Sequence, residues 1–371
     1  MTKEFVFDKK EFDKWEIQKD ENNNPVLVDY KDKENQTLYI PNEADLAPFG
    51  YKGPIRIKQH DLHILVNEYE KVIVSNKNNK KVVRICDSTD SSENALGTYR
   101  FYDHSCKVKE LDLRGLDTSN FTDLSYFFYQ LSDLEKLNIE GWDTSNVKSM
   151  EAMFMSDQSL KEIKGLENLN TSKVENMAEM FCDCYSLENI DLSNWDFSHV
   201  LDTKKMFQFN ISGAIVTLPE AGAPNLRNSS SMFTVSDVRI ENIDKFKMPK
   251  LEDATYTFAD CPYDWEVYQD SQDDYPMQQF INNIGSSLKV ADYMFAHANN
   301  TQDLDISKLP AKNLQSAKGM FEDSNIKITG LDQLEINDKC NTYRMFKNAK
   351  DEVINTKKVK RAKARFAKTK K

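Results

Sequence analysis

A chain of 371 residues with 60 acidic and 49 basic side chains has a net charge near −11, which disfavours a body built to hold polyanions. Its 11 glycines leave little material for phosphate-cradling loops, and its 6 cysteines are too few to staple a fold of this length. No apolar run reaches the roughly 18 residues of a membrane-spanning helix, and the start MTKEFVFDKKEFDKWEIQKD lacks the apolar core of a secretory signal.

In chain order, residues 14 to about 105 read as a few β-strands, with turns at DENNNP and DKEN. DLHILVNEYEKVIV follows as a helix or a strand–helix element. An array of repeats needs its first apolar face covered, so residues 1–105 are expected to form an N-terminal α+β cap. Within it HDLH places His60, Asp61 and His63 within one helical turn, two imidazoles short of a complete zinc set, so no metal is expected. The acidic runs DSTDSSEN at 87 and DSQDD at 270 lack the glycine-pivoted spacing of a calcium loop and read as solvated loops.

From about residue 106 the chain repeats itself. GLDTSNFTDLSYFF at 115–128 and GWDTSNVKSMEAMF at 141–154 agree position by position. Taking the last aromatic as a marker gives Phe128, Phe154, Phe181, Phe207, Phe233, Phe258, Phe295, Phe321 and Phe346, at gaps of 26, 27, 26, 26, 25, 37, 26 and 25. A unit that buries its apolar face only against a copy of itself has to recur in this way. The long gap places an insertion near 262–282. The expected domains are thus the cap at 1–105, a solenoid at 106–350 and a basic tail at 351–371.

Each unit opens with a short alternation such as LEKLNI, whose Leu137 and Ile139 point one way and Asn138 the other, so one short strand per unit is expected to stack in parallel. The second half, DTSNVKSMEAMF, begins with helix-capping residue types, and Val147, Met150, Met153 and Phe154 then recur at spacings of three and four. That pattern predicts a short helix with its Met and Phe in the core. Trp142 and Trp195 share the slot of Leu116 and are expected to pack a corner. Cys184 and Cys261, three residues after their markers, fall in equivalent corners too far apart for a disulfide, and all six cysteines read as free thiols.

These residues resemble the BspA-type leucine-rich repeat, a module of bacterial surface proteins. LNIEGWDTSNVKSMEAMFMSDQSL at 137–160 and IDLSNWDFSHV, with MFCDCYSL upstream, carry the resemblance most closely; APNLRNSSSMF, MPKLEDATYTF and INDKCNTYRMF depart from its corner. The segment WEIQKDENNNPVLVDYKDKENQTLYIPNEA is similar to what precedes such repeats in lactobacillus-type surface proteins. The resemblance implies an α/β repeat fold, a right-handed leucine-rich-repeat solenoid of about nine coils of ~26 residues, each a short parallel strand plus a short helix. It implies adhesion or recognition at the surface of a Gram-positive bacterium without catalysis. Family members usually carry an export signal and a wall-sorting motif, neither of which stands in this sequence. A cytoplasmic protein-interaction scaffold or inhibitor is therefore the alternative.

No catalytic residues or cofactors are expected. Outward strand positions Asp112, Asn138, Lys164, Asp191, Asp305 and Lys327 form the candidate ligand-binding ladder, a polar platform suited to a protein segment or a glycan. The last sixteen residues hold nine Lys or Arg and no acid, which leaves −20 on residues 1–355. Lys357, Lys358, Lys360, Arg361, Lys363 and Arg365 are accordingly the candidate contacts to an anionic wall polymer. Sequence-specific nucleic acid is not an expected partner.

Overall fold

The computed structural model describes residues 5–85, 107–261, 276–299 and 303–349. The chain divides into two compact units, Met1–Asn170 and Thr171–Lys371.

The first unit is built on two sheets that draw strands alternately from the chain. One holds β1 (Trp15–Lys19), β2 (Pro25–Tyr30), β4 (Ile55–Lys58), β6 (Val82–Ile85) and β8 (Leu116–Asp117). The other holds β3 (Thr37–Ile40), β5 (Lys71–Val74), β7 (Glu110–Asp112), β9 (Lys136–Asn138) and β10 (Glu162–Lys164). Among the described strands only β1 runs antiparallel, against β2. In the second sheet the register Leu38, Val72, Leu111, Leu137, Ile163 brings the central residue of each strand into line. The first two steps, 34 and 39 residues, are longer than the two of 26 that follow. The N-terminal segment thus feeds strands into the same parallel sheet as the repeats, and that sheet runs across the expected boundary at residue 105.

Short helices fill the longer coils: α1 (Lys9–Phe12), α2 (Glu43–Leu46) and α3 (Gln59–Glu68), the last burying Leu62, Leu65 and Val66 over β2 and β4. Trp15 is buried against Tyr30, and its indole N–H donates to the Tyr39 carbonyl at 3.2 Å, tying the two sheets together.

The second unit continues the pattern with β11 (Asn189–Asp191), β12 (Ile215–Thr217) and β13 (Arg239–Glu241) in one parallel sheet and β14 (Asp303–Asp305) with β15 (Lys327–Thr329) in another. Between β13 and β14 in the chain stands α4 (Pro276–Asn283), the described end of the insertion expected near 262–282. Met277, Phe280 and Ile281 are buried, with Phe280 edge-on to Phe258 at 5.2 Å. The Gln278 amide accepts from the Asp305 N–H at 2.7 Å and donates to its carbonyl at 3.0 Å, so one side chain satisfies the edge of β14 as a neighbouring strand does.

The helix expected in the second half of each unit does not form. Between Leu124 and Gln130, alternate N–H groups donate to the next coil: Leu124 to Ser149, Tyr126 to Glu151, Phe128 to Met153 and Gln130 to Met155, all at 2.8–3.0 Å. The residues between close i→i−3 turns, Phe127 to Leu124 and Tyr129 to Tyr126. At two positions four residues apart in every unit, the backbone is left-handed: Tyr126 and Gln130, Ala152 and Ser156, Lys205 and Phe209, Tyr256 and Asp260 all have φ between 51° and 64°. A residue in that region every fourth position forbids an α-helix. The spacing of three and four still buries the predicted side chains, because successive turns and a helix return to one face at nearly the same interval. The marker phenylalanines form flat stacks inside each unit: Phe128 on Phe154 at 5.4 Å, and Phe181, Phe207, Phe233, Phe258, Phe295, Phe321 and Phe346 at successive spacings of 5.3–6.0 Å.

The capping residue types work differently from a helix start. Asp143 accepts from its own Ser145 N–H at 3.0 Å, and Asp196 does the same with Ser198 at 2.7 Å, so the acid closes a turn. Thr118 accepts from the Asp143 N–H at 2.9 Å and Thr144 donates to the Asn170 carbonyl at 3.0 Å, so the threonine bonds to the adjacent coil. Trp142 and Trp195 are buried at these corners, and the Trp142 indole donates to the Leu113 carbonyl at 3.0 Å.

Candidate ligand-binding face

In the first unit the outward side chains of β5, β7, β9 and β10 form two rows. The outer row, in register, is Lys71, Glu110, Lys136 and Glu162, and the inner is Ile73, Asp112, Asn138 and Lys164. Three of the six expected ladder residues therefore meet here. The rows floor a groove of about 1310 Å³, walled on one side by the N-terminal Phe5–Phe7 and on another by the loop 75–79. Phe5 stacks on Tyr39 at 4.1 Å yet is 40% exposed, and Val6 is 77% exposed. The loop is held by Asn42, which caps α2 and donates to the carbonyls of Ser75, Lys77 and Lys80 at 3.0–3.1 Å. That buried cap is the physical content of the IPNEA motif.

Charge along the outer row alternates and is partly spent internally. Lys71 Nζ lies 2.5 Å from Glu110 and Lys136 Nζ lies 3.6 Å from it. The hydrogen bond from Lys71 holds the Glu110 carboxyl below the usual carboxylate range against a contrary effect of burial. In the inner row Asp112 receives Arg114 through Nε at 2.9 Å and Nη2 at 2.7 Å. Asn138 accepts from the Glu140 N–H at 3.1 Å. Both side chains thus serve the turn that follows their strand, and Lys164 is the exposed charge of the row.

The other expected ladder residues lie in the second unit. Asp191 is in register with Thr217 and Glu241, and its carboxylate accepts from the Ser193 N–H at 2.9 Å. Asp305 closes the equivalent turn on Ser307 at 2.9 Å. Lys327 does not share its row. The register sets Lys327 against Asp303, with Nζ 2.5 Å from the carboxylate, and places Thr329 beside Asp305. Lys327 follows Asp305 by 22 residues where the strands advance 24, which sets it one outward position off the row. Residues 357–365 of the candidate tail, and both acidic runs, lie outside the described residues.

A second ladder escaped the sequence reading. Asn176, Asp202, Asn228, Asp253, Val290, Ser316 and Asn341 bridge in succession, and Asp202 and Asn228 each accept from the N–H two residues on, at 2.7 and 3.0 Å. Its signal was an Asn or Asp five residues before most markers. Cys182, Cys184, Cys261 and Cys340 are buried free thiols, and burial pushes Cys182 up to about 12 and Cys340 up to about 11. Among the described residues no cluster of three His, Cys, Asp or Glu is arranged to hold a metal, and no helix is long and apolar enough to cross a membrane.

A family model described as "Mycoplasma protein of unknown function, DUF285" matches residues 98–214 and 274–361, together more than half of the chain. The matched residues include the corners and markers by which the chain resembles the BspA-type leucine-rich repeat. Comparison with curated proteins finds no match. Among solved structures the chain is similar to a leucine rich cell surface protein of Faecalibacterium prausnitzii, at 14% identity over 90% of each chain and a TM-score of 0.32.

Proposed function

The chain belongs to the family described as Mycoplasma protein of unknown function, DUF285, and from that premise we propose that it is a non-enzymatic binding protein of a bacterial cell surface, taking a protein segment or a glycan along its strand ladder. The observation that carries this reading is the groove of about 1310 Å³ over β5, β7, β9 and β10. Its floor is a parallel ladder with a fixed repeat, its charges are set in alternation, and its rim carries the exposed Phe5 and Val6. An extended ligand meets one outward pair per strand there, roughly every 4.8 Å, polar on β7, β9 and β10 and mixed on β5, where Ile73 accompanies Lys71. The basic tail supplies a separate attraction to anionic envelope polymers, weakened by salt.

Two measurements test this. Antibody against the full chain is applied to intact source cells before and after trypsin. Surface label that trypsin removes supports the reading, whereas label seen only in permeabilised cells overturns it in favour of an interior partner. The full chain and a chain ending at residue 355 are then bound to isolated envelopes across a salt series. Tail-dependent binding that salt releases supports electrostatic anchoring, and equal binding of both chains refutes it.

A further inference from the structure

In the second unit, one position recurs two residues before each marker: Glu179, Lys205, Ser231, Tyr256, Tyr293, Gly319 and Arg344. All seven have φ between 55° and 61°, so the side chains they carry leave the backbone in the same direction. Tyr256 and Tyr293 stack with centroids 4.8 Å apart and planes within 6°. The far face of Tyr293 is closed by the next coil: a Cβ at Gly319 would fall 2.3 Å from its ring, and Lys318 Nζ stands 5.4 Å from its centroid. The other end of the stack is open. Tyr256 is 39% exposed, and its outer face looks toward the coil of Ser231, whose N–H donates to the Thr255 carbonyl at 2.7 Å.

Ser231 interrupts the row. The coil before it carries Lys205, held by Glu179 at 3.1 Å. The stretch from Lys205 to Tyr256 therefore spans two coil spacings, roughly 9–10 Å, with only a hydroxymethyl group at its middle. A flat ring seated on Tyr256 needs about 3.5–4.0 Å of that depth. Ser230 and Ser231, half-buried on the coil between Lys205 and Tyr256, and the phenol of Tyr256 make no side-chain hydrogen bond among the described residues. A tyrosine face offers an apolar plane with a polar tip. At the far end of the slot Lys205 and Glu179 neutralise each other.

We propose that this slot is a carbohydrate subsite, in which the C–H face of a neutral hexose ring stacks on Tyr256 and its rim hydroxyls bond to Ser230, Ser231 and the phenol. An anionic ligand is disfavoured by the −20 charge of residues 1–355. The site lies wholly within the second unit, and it stands or falls separately from the groove of the first.

The test is saturation-transfer NMR on the full chain with maltohexaose, cellohexaose, mannohexaose and chitohexaose, and with adenosine as a flat, non-saccharide ring. Ser231→Tyr is the main variant. The backbone accepts tyrosine at this φ in the next two coils, so the substitution extends the stack into the slot without disturbing the fold. Tyr256→Ala is the second variant, and an unchanged far-UV spectrum is required of both. The expected result is transfer to ring protons of at least one hexasaccharide, lost at least fivefold in both variants. No transfer to any of the four, transfer undiminished in Ser231→Tyr, or transfer to adenosine alone would overturn the proposal.

Discussion

Asp157 offers the sharpest test of how these coils are held together. It stands three residues after its marker, is fully buried, and accepts the Leu131 N–H at 2.8 Å through one carboxyl oxygen, while the other has no partner. Asn210 fills the same slot in the second unit, where its oxygen accepts from the Cys184 N–H at 3.2 Å and its NH₂ donates to the Phe181 carbonyl at 2.8 Å. Burial pushes the Asp157 carboxyl well above its ordinary range, outweighing the Leu131 bond. With the folded-state value raised, the native protein binds more protons than the unfolded chain at any pH between the unfolded value near 3.9 and the folded one. Stability in this window falls as pH rises. Asp157→Asn supplies the donor that Asn210 has and carries no charge, so its stability has no such slope. The gain at neutral pH is about 1–3 kcal/mol, the cost of one buried, unsatisfied polar group. Urea unfolding of the full chain, followed by circular dichroism at several values between pH 4 and pH 8, measures it. The difference between variant and parent should be small at pH 4 and grow with pH. A variant less stable than the parent throughout, or an advantage that shrinks as pH rises, would refute the argument.

Phe154→Ala should cost about 3–5 kcal/mol, because it opens a cavity in a fully buried ring stack. Asn138→Ala removes one exposed turn bond and should cost under about 1 kcal/mol; equal losses in urea would contradict the assignment of inner and outer faces. Gln278→Ala leaves the Asp305 N–H and carbonyl without their partner. Amide exchange at Asp305 should accelerate at least tenfold with little change at Lys327, and unchanged protection at Asp305 would show that the glutamine does not substitute for a strand.

The period, the marker phenylalanines, the buried corner tryptophans and the short parallel strands were all legible in the sequence, because each depends on a residue type recurring at a fixed distance. Spacings of three and four around Val147, Met150 and Phe154 also identified the buried face correctly. They could not separate a helix from a succession of turns, since both return side chains to one face at nearly that interval. The deciding bonds run from Leu124 to Ser149 and from Tyr126 to Glu151, between residues 25 apart in the chain. The same limit explains Lys327, an outward residue by alternation whose row depends on which strand residue lies opposite, and Gln278, whose amide completes a strand 27 residues away. It also explains why Asp112 and Asn138, exposed by pattern, have side chains engaged in their own turns. Sequence by itself determined what recurs and which face is buried, because those are properties of one coil. Only the tertiary structure decided how coils bond, which outward residues share a row and where a row is open, because each is a relation between coils whose register no single coil contains.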